Sequence, residues 1–141
     1  MPIYKLLFKE MAALQPRYWR EADQNADFLR TIILNSDADI LVAADSGDIA
    51  GFALVRAEQT PPYACIRPRR FAYLMDICVA DERRREGSGS LLIAAVEDWA
   101  RARGLDYVEL TVLEENRQAA RLYARHGFAD TKRTMHRVLT D

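Results

Sequence analysis

Val79-Ala80-Asp81-Glu82-Arg83-Arg84-Arg85-Glu86-Gly87-Ser88-Gly89-Ser90-Leu91-Leu92 is the stretch on which the reading of this chain turns. A β-rich run ends at Val79, and a helical apolar period opens at Leu91. Two of only six glycines, Gly87 and Gly89, stand together at the junction. A glycine-rich loop entering a helix exposes backbone N–H groups, to which the helix dipole adds positive potential. Glycine also lets the backbone approach a ligand closely. With Arg83, Arg84 and Arg85 just ahead, these features suit a phosphate or pyrophosphate. The chain has no Gly-x-x-x-x-Gly-Lys-Ser/Thr run, so it holds no P-loop. Leu92 stands where a dinucleotide fingerprint needs glycine or alanine, and the loop does not follow the first strand. A solvated arginine turn whose glycines relieve strain fits the same residues, and the loop alone leaves both readings open.

Working outward, residues 71–79 read as a strand, entered from a loop over 57–70 that holds Pro61, Pro62 and Pro68. Two earlier strands, 40–44 and 49–55, flank Asp45-Ser46-Gly47-Asp48, a polar cluster of hairpin type. At the front, Ile3, Leu6, Leu7, Met11 and Leu14 recur at spacings of three and four, which predicts a helix over 3–14 that ends before Pro16. A second, short helix starts with Asp27 as N-cap and runs through Phe28, Leu29, Ile32 and Ile33. Downstream, Leu91, Leu92, Ala95, Val96 and Trp99 keep helical period, with Gly104 at the position of a C-terminal stop. Residues 107–113 read as a buried strand. Asn116 caps a helix that continues to His126 and stops at Gly127, and 131–139 is expected to form a last strand. A hairpin followed by alternating strands and helices means a mixed sheet with helices on its faces.

The composition bounds what such a domain does. At 141 residues and 16.1 kDa, with 50% hydrophobic residues, the chain is one domain, 1–141, that needs no metal or disulfide staple. Charged residues at 29% exclude wholesale disorder and a membrane bundle. The net charge of −1 lacks the basic excess of bulk nucleic-acid binding, so neither nucleic acid nor membrane is an expected partner. Lys5, Lys9 and Glu10 within the first apolar period do not make a signal peptide. Cys65 and Cys78 do not make a disulfide framework, and a cytoplasmic location is expected. His126 and His136, ten apart and without a cysteine cluster, are not a metal pair.

The junction gains meaning from a second block, Asn116-Arg117-Gln118-Ala119-Ala120-Arg121-Leu122-Tyr123-Ala124-Arg125-His126-Gly127-Phe128. Over residues 38–139 the chain resembles the GNAT superfamily of N-acetyltransferases. The family's Arg/Gln-x-x-Gly-x-Gly/Ala signature is matched by Arg84, Gly87 and Gly89. Its Asn-capped helix is matched by Asn116, Ala119, Ala120, Tyr123, Gly127 and Phe128. Two ordered blocks are far more specific than either alone. The resemblance implies an α/β (α+β) fold. Its central sheet is mixed, mostly antiparallel, with a splayed strand pair and helices on both faces. The family's first strand is short or missing here.

The resemblance also implies acetyl-CoA as co-substrate and acetyl transfer to an amine-bearing substrate by direct attack in a ternary complex. Backbone groups of Ile77, Cys78 and Val79 would meet the pantetheine arm. Amides of Arg84, Arg85, Glu86, Gly87, Ser88, Gly89 and Ser90 would hold the pyrophosphate, and Asn116 would touch the pantetheine end. Tyr123 would protonate the leaving thiolate, with Asp76 as the matching acidic position for a base and Glu109 on the next strand as a second candidate. A backbone N–H beyond the splay would polarise the acetyl carbonyl. The same residues have plainer roles: Tyr123 as sheet packing, Asp76 as a structural carboxylate, Cys78 as a core residue. Asp81 and Arg85 depart from the family's usual proline and glycine. If the first strand is missing, the sheet has an open edge that could pair with a second copy as a homodimer. The segments 15–25 and 57–70, with Tyr18, Trp19, Arg20, Glu21, Tyr63, Arg67, Arg69 and Arg70, are the expected acceptor walls. An acyl-CoA-binding regulatory module without efficient transfer is the alternative.

Overall fold

The computed structural model describes residues 2–84 and 87–141. The order of elements is α1 (Pro2–Leu14), α2 (Ala26–Leu34), β1 (Ala38–Asp45), β2 (Asp48–Gln59), β3 (Arg70–Val79), a 3₁₀ turn (Asp81–Arg83), α3 (Ser88–Ala102), β4 (Val108–Leu110) and α4 (Arg117–Arg125). The sheet order is β1-β2-β3-β4, with β1, β2 and β3 antiparallel and β4 parallel to β3. This is the mixed, mostly antiparallel sheet expected.

Two cores form because β2 is buried on both faces, which its continuous apolar run dictates. Ala53 and Val55 face α3, where Leu92, Val96, Trp99 and Ala100 pack on them together with Ala72 and Leu74. Phe52 and Leu54 face the other way, onto Tyr4 of α1 and Ile32 of α2, beside Cys78. Each large side chain taken fully out of water contributes about 1.5–3 kcal/mol. The far end of α3 is pinned to β1. Trp99 Nε1 donates to Asp39 Oδ2 at 2.6 Å, Arg103 Nη2 donates to the same oxygen at 3.2 Å, and the Arg103 guanidinium lies 3.8 Å from the Trp99 ring centre.

Three expectations need correction. The cap of α2 is Asn25, not Asp27: Asn25 Oδ1 accepts from the N–H groups of Asp27 at 2.7 Å and Phe28 at 3.4 Å. Asp27 instead sits in the first turn, where its charge meets the positive end of the helix. The strand expected over 107–113 is regular only over Val108–Leu110. No strand forms over 131–139; these residues are exposed and without regular structure. A three-residue β4 offers too short a ladder to template another strand, and Thr131-Lys132-Arg133-Thr134 presents no apolar face to bury. The tail is held instead by Arg17 Nη2 donating to the Thr140 carbonyl at 2.7 Å and by an edge contact of Tyr18 on His136, 4.7 Å between ring centres.

The feature that makes the site is where β3 and β4 part. They pair only at Ala72/Val108, Tyr73/Glu109 and Leu74/Leu110. Immediately beyond, β3 carries a bulge: Val55 of β2 opposes Leu74 while Leu54 opposes Asp76, which leaves Met75 as the extra residue. A bulge bends its strand and increases the local twist, and the two strands diverge from that point.

Candidate active site

The divergence opens a slot of about 80 Å³ between β3 and the segment after β4. Leu7 and Met11 of α1 line it, as do Asp76 and Ile77 of β3, and Asn116 and Tyr123 at and within α4. Main-chain groups along this edge follow from one bond: the Ala80 N–H donates to the Ala50 carbonyl at 2.8 Å. In an antiparallel ladder the inward and outward residues alternate. Ala80, Cys78 and Asp76 therefore turn their peptide groups to β2, and Ile77 and Val79 turn theirs to the slot side. Before the bulge the phase is opposite, because the Ala72 N–H donates to the Tyr107 carbonyl on the β4 side at 2.9 Å. Of the three residues read as cofactor-binding on this strand, Ile77 presents its edge to the slot, and Val79 presents its own just beyond the lining residues, with its carbonyl already accepting from Arg84 Nε. Cys78 presents none; its side chain is buried beside Phe52 and Leu54.

The loop after β3 divides in the same way. The Arg84 side chain is committed to the protein: Nε donates to the Val79 carbonyl at 3.1 Å, and the guanidinium pairs with Glu10 of α1 and Asp81. Its N–H closes the 3₁₀ turn onto the Asp81 carbonyl. Arg84 thus fastens the loop to α1. Arg85 and Glu86 lie outside the described residues. Gly87 is the N-cap of α3 with φ of +83°, a conformation that residues with a Cβ rarely adopt. The amides of Ser88, Gly89 and Ser90 form the first turn of α3, whose N–H groups find no carbonyl within their own helix. That end of α3 rests on α4. A Cβ on Gly89 would stand 3.2 Å from Leu122 Cδ2, and Ser90 Oγ lies 3.0 Å from His126 Nε2.

Asn116 caps α4 by accepting the Ala119 N–H on Oδ1 at 3.2 Å, which leaves its Nδ2 for the slot. Tyr123 is buried, edge-on to Phe128 at 5.9 Å. Burial, and then the negative charge that Cys78 would carry if ionised, push the Tyr123 hydroxyl up to about 12. It therefore holds its proton throughout the neutral range. The Cys78 thiol is pushed to about 11, again chiefly by burial, and stays neutral. Asp76 is raised above the usual carboxylate value by burial, against which a hydrogen bond from the Tyr4 hydroxyl at 2.6 Å works to lower it. The native state thus holds the Asp76 proton more tightly than the unfolded chain does. This group's contribution to stability is fullest below its unfolded pKa and declines as pH rises through the elevated native one.

Glu109 is half-buried opposite Tyr73 and does not line the slot; nor does any residue of 15–25 or 57–70. Tyr18, Trp19, Tyr63, Arg67, Arg69 and Arg70 are exposed. Tyr4 and Glu10 are residues that sequence reasoning missed. The signal for Tyr4 was present, since Tyr4, Leu7, Phe8 and Met11 form a second stripe at helical spacing, but nothing local announces partners more than 70 residues away. Among the described residues no group of three or more His, Cys, Asp or Glu could hold a metal ion. No helix among them is long and apolar enough to cross a membrane.

Comparison with known proteins bears on the family and the fold. Residues 3–128 match the profile of the Acetyltransferase (GNAT) family. The chain is 27% identical over 148 residues to YhfO of Bacillus subtilis strain 168, described as an uncharacterized N-acetyltransferase, across 99% of this chain and 97% of that protein. Its fold is similar to that of a tetramutant of the BH1408 protein from Bacillus halodurans, with a TM-score of 0.92 and 24% identity over 98% of this chain and 90% of the other. It is also similar to aminoglycoside N-acetyltransferase AAC(6')-Iy in complex with CoA, with a TM-score of 0.73 and 23% identity over 99% and 88% of the two chains.

Proposed function

Since the chain belongs to the GNAT family of acetyltransferases, we propose that it transfers an acetyl group from acetyl-CoA to a primary amine in the slot between β3 and β4. The observation that carries this reading is the slot itself: the outward peptide group of Ile77 on one wall, the Val79 N–H facing the same way just beyond it, and Asp76 and Tyr123 opening onto the same space. Peptide groups removed from water need partners, and a ligand bearing amides along a thin chain, as the pantetheine arm does, supplies them. The first turn of α3, from Gly87 to Ser90, is the natural seat for the pyrophosphate.

The roles follow from the proton states. Asp76, as a carboxylate, takes a proton from the incoming ammonium, directly or through a water. The freed amine attacks the acetyl carbon, and a main-chain N–H beyond the bulge steadies the charge that grows on the carbonyl oxygen. Asp76 passes its proton to solvent and takes the second proton from the attacking nitrogen, and when the carbon–sulfur bond breaks Tyr123 gives its proton to the departing sulfur and is reprotonated from solvent. Turnover is expected to rise with pH as Asp76 loses its proton, over a range displaced upward from that of an ordinary aspartate. Two unpaired cysteines and a cofactor of central metabolism suit the cytoplasm.

Calorimetric titration with acetyl-CoA, using 3′-dephospho-CoA and ATP as controls, is the first test. Saturable binding of acetyl-CoA with weak or absent binding of ATP is expected. No binding would overturn the cofactor assignment. Binding without CoA release from a panel of primary amines would favour an acyl-CoA-binding module over an enzyme.

The partner surface follows from the open side of the sheet. Among the described residues no strand pairs with the outer edge of β1, and Val42, Ile49 and Leu91 are exposed beside it. An open edge with apolar neighbours favours pairing with a second copy. Sedimentation velocity is expected to show a dimer that Val42→Lys converts to monomer; a monomeric wild type would refute this pairing.

A further inference from the structure

We propose that Tyr4 is the positioning residue for the Asp76 carboxylate, holding one of its oxygens so that the other meets the amine; this rests on the reading of Asp76 as the base. Tyr4 lies in the first turn of α1 and is wholly buried. Its ring is fixed between Phe8 and Phe52, at 5.5 Å and 4.5 Å between centres. From that seat its hydroxyl donates to Asp76 Oδ2 at 2.6 Å, across 72 residues of chain. Asp76 Oδ1 has no protein partner among the described residues, and Asp76 lines the slot.

The chemistry of the pair suits this division. A buried phenol beside a carboxylate resists ionisation, and burial, the hydrogen bond and the Asp76 charge all push Tyr4 upward, while the Gln24 side chain acts the other way. Tyr4 therefore remains a donor wherever Asp76 is charged. A donor fixed by packing selects one rotamer of the carboxylate, and such support keeps a catalytic group in productive geometry. The other titratable groups around the slot do not compete for the role. Tyr123 from α4 and Cys78 from β3 are neutral, Glu10 of α1 is paired with Arg84, and Glu109 of β4 does not line the slot.

Tyr4→Phe removes the donor and keeps the ring, so the packing on Phe8 and Phe52 survives; thermal unfolding checks that the fold is retained. In chain labelled with ¹³Cγ-aspartate, the Asp76 carboxyl is expected to titrate at higher pH in Tyr4→Phe than in wild type, because the charged form has lost its hydrogen bond. With n-butylamine as probe amine at saturating acetyl-CoA, kcat at neutral pH is expected to fall roughly tenfold. The acid limb should move upward and KM for acetyl-CoA should stay unchanged. In an Asp76→Asn background the same change should add no further loss. An Asp76 titration identical in wild type and Tyr4→Phe overturns the positioning role, whether or not n-butylamine is a substrate. Wild-type kcat and acid limb in Asp76→Asn alone would instead remove Asp76 as the base, leaving the carboxyl titration to decide whether Tyr4 holds it.

Discussion

Tyr123→Phe is expected to slow acetyl transfer by roughly a hundredfold or more, the usual contribution of a positioned general acid, with acetyl-CoA affinity unchanged. The argument has three parts. The ring is buried and seated against Phe128, so phenylalanine fills the same space. The hydroxyl, pushed up to about 12, is protonated at every pH at which the enzyme would work, so what is lost is a proton donor and not a charge. Of the groups that line the slot, the Tyr123 phenol is the most acidic one still protonated when Asp76 is charged. The measurement is single-turnover release of CoA beside calorimetric affinity. A variant that turns over like wild type would leave Tyr123 as packing alone, and one that loses affinity in step with rate would make it a binding residue. Because Tyr123 does not titrate in the neutral range, its removal should lower the pH profile without moving the acid limb.

Gly51→Val is expected to cost about 2–3 kcal/mol of stability, the upper part of the range for overpacked sites, and to weaken acetyl-CoA binding with it. Glycine is required there by proximity. A Cβ at residue 51 would stand 2.8 Å from the Cys78 carbonyl oxygen, 3.1 Å from Leu92 Cδ1 and 3.3 Å from Val79 Cα. Two of those neighbours are backbone and cannot rotate away, so β2 and β3 would have to separate at Val79, one of the two residues whose peptide groups face the slot side. Gly89→Ala is the matched control for stability alone, because its amide belongs to the proposed pyrophosphate seat. Its close neighbour among the described residues is the tip of Leu122, a flexible side chain, so a few tenths of an ångström of adjustment accommodates it. Urea unfolding with an acetyl-CoA titration reads both variants. Equal stability of Gly51→Val and wild type would mean that β2 and β3 are not held as closely as described.

What could be read from the sequence was governed by how local each determinant is. The hairpin at Ser46-Gly47, the cap at Asn116 and the stop at Gly127 are set by residues within a few positions of each other, and they lie where the pattern placed them. Asn25 and Asp27 are both competent caps two residues apart, and propensity alone does not choose between them. The tail was expected to form a last strand, yet a strand needs an edge to join, and β4 is only three residues long. Asp76 and Tyr123 were legible as candidates through the resemblance to the family. The bond from Tyr4 and the fastening of Arg84 by Glu10 were not, because each joins α1 to residues more than 70 positions away. The outward turn of Ile77 and Val79 in place of Cys78 was hidden for another reason: it depends on a single supernumerary residue in β3.

That residue, Met75, makes β3 a strand with two reading frames. Up to Leu74 the strand addresses its own sheet, and from Asp76 on the frame has slipped by one, so that the outward register faces away from β2 along the slot side. Side-chain identity at 75 matters less than the count of residues there. Position 75 therefore tolerates substitution more readily than a change in the length of this stretch. An insertion or deletion of one residue between 74 and 76 would exchange the roles of alternate peptides along the whole wall, with no catalytic side chain altered.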